Sequence, residues 1–362
     1  MRKYFLDNIR WITVVLVVIY HVFYMYNGEG LQGVVGPITN MDIQYFDLYQ
    51  YIVYPWFMAI LFIVSGMCSK YYLDSHTDKE FLKARTTKLL VPSTLGLFTF
   101  QFIQGYYNMA IADAFRSLAS LPMMAKYVIM VFSGIGVLWY IQILWFESIV
   151  LLLIRRFEKD RLWHLGSKAN LITMITLVLP VWLSAQILNT PIICVYRFGL
   201  YTMLFLLGYF VFSHDEVIDR LQASFLPLTV ISIVLGILFC KTYFGQNYAI
   251  APVYKSPLFI AYGYFSCLAI LGGMAKYGHW HNRFTRWMNK RSYGLYVFHY
   301  LGISVFAYYV GQKGLLSAPL VYALTLLSGL TGGYALNAII SRLPFLKWTV
   351  LGIRQEKITS HL

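Results

Sequence analysis

Apolar runs of bilayer length recur along the entire chain, and no other feature restricts its fold as strongly. Ten segments reach the roughly 20 residues that a helix needs to cross the hydrocarbon core: 8–27, 48–69, 89–109, 128–154, 170–188, 193–213, 224–243, 256–275, 292–311 and 315–341. In lipid, backbone N–H and C=O groups are satisfied only in helices or in a closed barrel, and continuous apolar runs specify helices. The sequence therefore predicts an all-α integral membrane protein, a bundle of about ten transmembrane helices. Composition agrees, with 59% of residues hydrophobic and 12% charged, against about 25% charged in a soluble domain. Connections are short, so residues 1–362 are expected to form one transmembrane domain. Pro180 lies inside the fifth run and predicts a kink there. The first run follows basic residues as in a signal peptide, but it is too long and lacks a small-residue cleavage site, so a retained helix is expected.

The chain carries 29 Lys and Arg against 15 Asp and Glu, a net charge of +14. Such an excess suits nucleic acid until its distribution is considered. With the amino terminus in the cytoplasm, that side holds Arg2, Lys3, Lys70, Lys79, Lys83, Arg85 and Lys88. It also holds Arg155, Arg156, Lys159, Arg161, Lys168 and Arg220, then Lys276, Arg283, Arg286, Lys290 and Arg291, and finally Arg342, Lys347, Arg354 and Lys357. The opposite side holds only Arg116, Lys126, Lys241, Lys255 and Lys313. This asymmetry is the positive-inside pattern. It predicts a multi-pass protein of the plasma membrane with both termini cytoplasmic, a lipid bilayer as partner and no nucleic acid. It leaves the oligomeric state open. Cys68, Cys194, Cys240 and Cys267 are scattered through apolar segments without metal or redox spacing, so we read them as small buried hydrophobes and expect no bound metal.

The first run, "LDNIRWITVVLVVIYHVFYMY" (6–26), holds three residues that lipid disfavours, Asp7, Arg10 and His21. Arg10 and His21 are 11 residues apart. That is three helical turns plus about 20°, which puts them on one face and about 16 Å apart along the axis. Asp7 and Arg10, at i and i+3, can pair on that face. Arg10 lies near the cytoplasmic mouth, where snorkelling to the interface would also explain it. His21 lies past the midplane, where an ionisable group faces a bundle interior or a water-filled cavity. His suits proton transfer near neutral pH, and Arg suits phosphate. Together they suggest a channel that holds an anionic donor at its inner mouth and does chemistry deeper in. Arg197 and His299 are also ionisable residues within apolar runs. Arg197 can serve an oxyanion, an acidic acceptor or a structural carbonyl. His299 can line the same cavity or be a hydrogen-bonded core residue. Gly329 and Gly333 form a GxxxG that predicts close helix packing within the bundle.

Several segments in order resemble the acyltransferase family 3 membrane O-acyltransferases. These are Asp7-x-x-Arg10 with His21 in the first helix, "FIVSGMCSKYY" (62–72) with Ser65, and "RTTKLLVP" (85–92). "VLWYIQILWF" (137–146) and "SYGLYVFHYL" (292–301) complete the series. The opening "YFLDNIR" and the tail "SRLPFLKW" are similar to the glucan biosynthesis protein C branch, which is associated with succinyl transfer to periplasmic glucans. The resemblance implies transfer of an acyl group, acetyl or succinyl, from cytoplasmic acyl-CoA to a hydroxyl of an extracytoplasmic carbohydrate or cell-envelope glycan. Acyl-CoA would be a co-substrate, with no bound cofactor. His21 would be the general base or carry the acyl group, with Arg10 and Asp7 beside it. Arg85 and Lys88, at i and i+3, would hold the phosphates of CoA. Lys88 stands where the family typically has a second Arg, which removes a bidentate fork. Ser65, Trp139 and Tyr140 would wall the acyl or pantetheine path, although an aromatic in a span commonly serves packing alone. Two rivals remain: a secondary transporter of a small anionic or sugar-like solute, which predicts broken helices and repeat symmetry, and a non-catalytic membrane scaffold.

Overall fold

The computed structural model describes residues 3–30, 33–41, 44–191 and 195–354; Arg2, Cys194 and Lys357, used in the charge and cysteine readings above, lie outside them. Long apolar segments become helices, in chain order α1 (Tyr4–Met25), α2 (Leu48–Leu73), α3 (Asp78–Arg85), α4 (Val91–Gly96), α5 (Phe102–Ile111), α6 (Met123–Ser133) and α7 (Trp139–Glu158). After α8 (Leu171–Thr176) and α9 (Val178–Ser184) comes a short antiparallel hairpin, β1 (Asn189–Pro191) and β2 (Val195–Arg197). Then follow α10 (Phe198–Phe210), α11 (Asp215–Ala223), α12 (Phe225–Tyr243), α13 (Pro257–Tyr277), α14 (Arg283–Tyr309), α15 (Ala318–Ile340) and α16 (Pro344–Leu351).

Among the described residues seven helices, not ten, are long and apolar enough to cross a bilayer. They are Tyr4–Met25, Tyr45–Leu73, Gly136–Glu158, Phe225–Tyr243, Pro257–Tyr277, Arg283–Lys313 and Ala318–Ile340. Three expected spans are lost and a fourth is divided, each for a local cause. The run 89–109 is part of a helical path from Asp78 to Ile111 that contains two wide π-turns, Thr86–Leu90 and Leu97–Gln101. Pro92 offers no N–H to the carbonyl of Lys88 and its ring crowds that position. The chain widens just before the proline, and the Tyr293 hydroxyl donates to the freed Lys88 carbonyl at 2.9 Å. The run 170–188 breaks between α8 and α9, and the missing N–H of Pro180 is the cause, since it leaves the carbonyl of Thr176 without its helical donor. The run 193–213 opens in strand β2, which leaves a helix of 13 residues, α10. The expected fourth span, 128–154, is divided between α6 and α7 by Gly134 and Gly136.

The order of burial separates inner from peripheral helices. In Tyr45–Leu73, 78% of the most apolar window is buried, against 17% in Phe225–Tyr243 and 22% in Ala318–Ile340. α1 packs against α2, α14 and α15, and α2 against α10. Two glycines permit this. At Gly66 any Cβ would collide with the backbone of Phe205 on α10. At Gly333, half of the expected GxxxG, a Cβ would sit 2.7 Å from Cδ1 of Leu295 on α14. That motif therefore serves packing inside the bundle. Of the described cysteines only Cys267 is fully buried; Cys68 and Cys240 are half-buried, which corrects the reading of all four as buried.

Candidate active site

The site is built in three tiers along α1. The tier nearest the Lys3 end joins residues that the sequence places far apart. α3 ends on Arg85, whose Nη2 donates to Ser69 Oγ at 2.6 Å and whose guanidinium lies 5.1 Å from the Phe81 ring centroid. Ser69 donates in turn to the carbonyl of Ser65 at 2.7 Å. Ser65 Oγ and the Tyr140 hydroxyl are hydrogen-bonded at 3.1 Å. Trp139 packs on the Tyr201 ring, 5.4 Å between centroids. Arg10 sits within electrostatic reach of Arg85, and both reach Tyr140 and Cys68. Its Nη1 is 3.8 Å from Asp7 Oδ1, and its side chain is 42% exposed. The i,i+3 pairing read from the sequence is present, but it is long and leaves most of the guanidinium free for another anion. A cavity of about 830 Å³ reaches this tier from the Lys3 end, with Asp7, Cys68, Tyr71, His76 and Trp163 in its walls.

Lys88 does not join Arg85. The π-turn over Thr86–Leu90 closes i→i+5 hydrogen bonds and rotates Lys88 off the Arg85 face. Its ammonium donates to the Leu351 carbonyl at the end of α16, at 3.1 Å, and lies 4.2 Å from the centroid of Tyr293. The expectation that Arg85 and Lys88 act together assumed regular helical spacing, and Pro92 removes it.

The middle tier holds the two histidines. Nδ1 of His299 on α14 faces the carbonyls of Leu295 and Tyr296 at 3.1 and 2.9 Å. Facing two acceptors, it carries the proton, which makes Nε2 of His299 an acceptor. That Nε2 is 3.1 Å from Nδ1 of His21, which is also 2.8 Å from the carbonyl of Val17. Two acceptors converge on His21 Nδ1, so the proton resides there, and Nε2 of His21 holds the basic lone pair. His299 is fully buried, whereas His21 is half-buried. The rings of Tyr20, Tyr24 and Tyr300 surround His21 with centroids 5.1, 6.0 and 4.9 Å away.

The third tier lies beyond His21. Arg197 is 2% exposed. It donates through Nη2 to the Tyr54 hydroxyl at 2.7 Å and the Ala249 carbonyl at 3.2 Å. The Tyr254 and Tyr54 rings flank it at 4.3 and 5.2 Å. Among the described residues no acid pairs with it, and its Nε is buried without a partner. Tyr20 links the tiers. It lies on α1 immediately before His21, stacks near Tyr54 at 5.8 Å, and shares a hydrogen bond of 3.2 Å with the Tyr248 hydroxyl.

The structure thus brings together Asp7, Arg10, Arg85, Ser65 and Tyr140 in one tier and His21 with His299 in the next, sets Arg197 in a third, and turns Lys88 away. Sequence reasoning missed Ser69 and Glu147. Glu147 on α7 is fully buried with neither carboxylate oxygen hydrogen-bonded, and it lies in the field of Arg85. Spacing could have exposed both: Ser69 is four residues after Ser65, and Glu147 seven after Tyr140, so each pair shares a helix face.

No curated protein sequence and no solved structure matches the chain. A model of acyltransferase family 3, described as an acyltransferase domain, matches residues 3–338. That match covers nearly all of the chain, including the helices that carry each tier, and so the chain belongs to acyltransferase family 3 as an acyl-transferring enzyme of the membrane.

Proposed function

We propose that the enzyme moves an acyl group, acetyl or succinyl, from cytoplasmic acyl-CoA to a hydroxyl of a carbohydrate or cell-envelope glycan on the opposite face of the plasma membrane. The His21–His299 contact at 3.1 Å carries this reading, because it leaves the Nε2 lone pair of His21 free to accept a proton. Nε2 takes the proton of the acceptor hydroxyl as its oxygen attacks the thioester carbonyl. The C–S bond then breaks, and the thiolate of CoA recovers the proton from His21. In the covalent variant, Nε2 attacks the thioester first and expels the CoA thiolate; the acceptor hydroxyl then displaces His21 from the acyl group, and its proton passes to the thiolate. Arg10 and Arg85 bind the phosphates of the donor, with Asp7 orienting Arg10. The axial separation of Arg10 and His21, about 16 Å, is comparable to the reach of a phosphopantetheine arm, and Ser65, Trp139 and Tyr140 line the path between. The tyrosines around His21 suit the faces of a sugar ring. Arg197, a buried cation without an acid partner among the described residues, favours a carboxylate on the acyl group or the acceptor, consistent with the glucan branch. The basic excess at the Lys3 end supports cytoplasmic termini.

Membrane vesicles incubated with radiolabelled acetyl-CoA or succinyl-CoA and a cell-envelope polysaccharide test this. Wild type transfers label, and His21→Ala loses about 10²- to 10⁴-fold, the usual contribution of a general base. Equal transfer by both refutes the catalytic assignment. Solute flux without any requirement for acyl-CoA favours a transporter.

A further inference from the structure

We infer that the groove between α3 and α7 is a binding site for one anionic phospholipid, which the acyl-transfer reaction does not use. The groove has a volume of about 400 Å³. Its walls are aliphatic, from Leu82 on α3 and Ile149, Leu152 and Leu153 on α7. Its far end is cationic, formed by Arg155 and Arg156 with Asp78. Arg155 is engaged by Asp78 at 2.5 Å, and its Nε remains buried without a partner. Arg156 is exposed, and no acid among the described residues pairs with it. The site therefore holds one cation compensated by protein and one that is not.

The neighbouring surface indicates what supplies the missing charge. Phe146, Leu153 and Phe157 are 40%, 55% and 81% exposed. They recur at spacings of seven and four residues, so they form one stripe on α7 that faces the hydrocarbon. The stripe runs past the aliphatic walls and ends at Arg156, at the end of the bundle richest in Lys and Arg. An apolar track leading to an unshared guanidinium at the membrane surface complements an acyl chain attached to a phosphate. A free anion would have no use for the four aliphatic side chains, and a zwitterionic lipid would bring its own cation to Arg156.

The test uses the full chain with equimolar phosphatidylglycerol and phosphatidylcholine, bound lipid being counted by native mass spectrometry. One retained phosphatidylglycerol is expected, preferred about fivefold, the ratio that one cation contributes near an anionic surface. Arg156→Gln removes the preference. Leu153→Trp, which fills the groove and leaves every charge in place, removes it as well. Arg286→Gln, at the same end of the bundle, leaves it intact. Loss in Arg156→Gln but not in Leu153→Trp overturns the proposal, since a diffuse charged surface then suffices. Displacement of the lipid by inorganic phosphate overturns it too, as does an absence of preference in wild type. Thermal melting of each variant in phosphatidylcholine alone separates lost binding from lost folding.

Discussion

Replacing His299 with Leu removes one hydrogen-bond acceptor from His21 and little else from the reacting centre. His21 keeps the Val17 carbonyl at 2.8 Å, so its tautomer survives the substitution. What is lost is the bond at 3.1 Å to His299 Nε2, which strengthens when His21 takes up the substrate proton and becomes imidazolium. A hydrogen bond between neutral partners contributes about 0.5–1.5 kcal/mol, and one to a charged partner about 1.5–3 kcal/mol. The difference, about 1–1.5 kcal/mol, is felt only after proton transfer, so it lowers kcat by roughly tenfold. Binding is unchanged, so KM for both substrates stays constant. Gln at position 299 offers an amide oxygen near the place of Nε2 and restores most of the rate. Steady-state kinetics in vesicles, with thermal melting as a control for folding, measures all three proteins. A His299→Leu enzyme with wild-type kcat refutes the reasoning, and so does one whose loss falls entirely on KM.

Further outcomes follow from the other tiers. Arg85→Ala raises KM for the acyl donor about ten- to hundredfold, the range for charge-assisted contacts to phosphate. Lys88→Ala leaves that KM unchanged and costs about 1 kcal/mol of stability through the lost bond to Leu351; equal donor KM effects in titrations of the two variants would place both at the phosphates. Gly66→Ala forces a methyl onto the Phe205 backbone and destabilises by about 1–3 kcal/mol or prevents folding, which thermal melting and expression yield reveal. His214, in the connection after α10, is held below its ordinary pKa of 6.5 mainly by burial, and its Nε2 is 2.8 Å from the Trp163 carbonyl. The unfolded chain then binds the proton more readily, so the contribution of His214 is present above pH 6.5 and is lost as the pH falls below that value. His214→Gln flattens the acid limb of the melting-temperature profile.

The apolar runs were legible because lipid imposes one requirement on every span, an internally satisfied backbone, and seven of the ten expected spans are long helices among the described residues. The departures were legible only in part. Pro180 was recognised as a kink from its missing N–H. Pro92 was visible too, yet its effect on Lys88 was not. The sequence implies regular helical spacing across residues 85–88, and the π-turn that breaks it is accompanied by a donor from Tyr293, 205 residues away, to the Lys88 carbonyl. The same limit applies to the hairpin that replaces the start of the sixth expected span. Each strand of that pair is 3 residues long, too short for the period-2 alternation of a strand to be seen in the sequence.

By itself the sequence determined the class of fold and the shared face of Arg10 and His21, because both follow from distances along one backbone. It also determined that two histidines and three arginines stand in or beside apolar runs, where their burial needs a reason. Only the tertiary structure decided that His299 Nε2 meets His21 Nδ1, that Arg85 turns towards Ser69 and Arg10 while Lys88 turns away, and that Arg197 is buried without an acid among the described residues. These are contacts between helices remote in the chain. Whether a buried polar group is satisfied, shared or left for a ligand depends on which neighbour packing brings within about 3 Å.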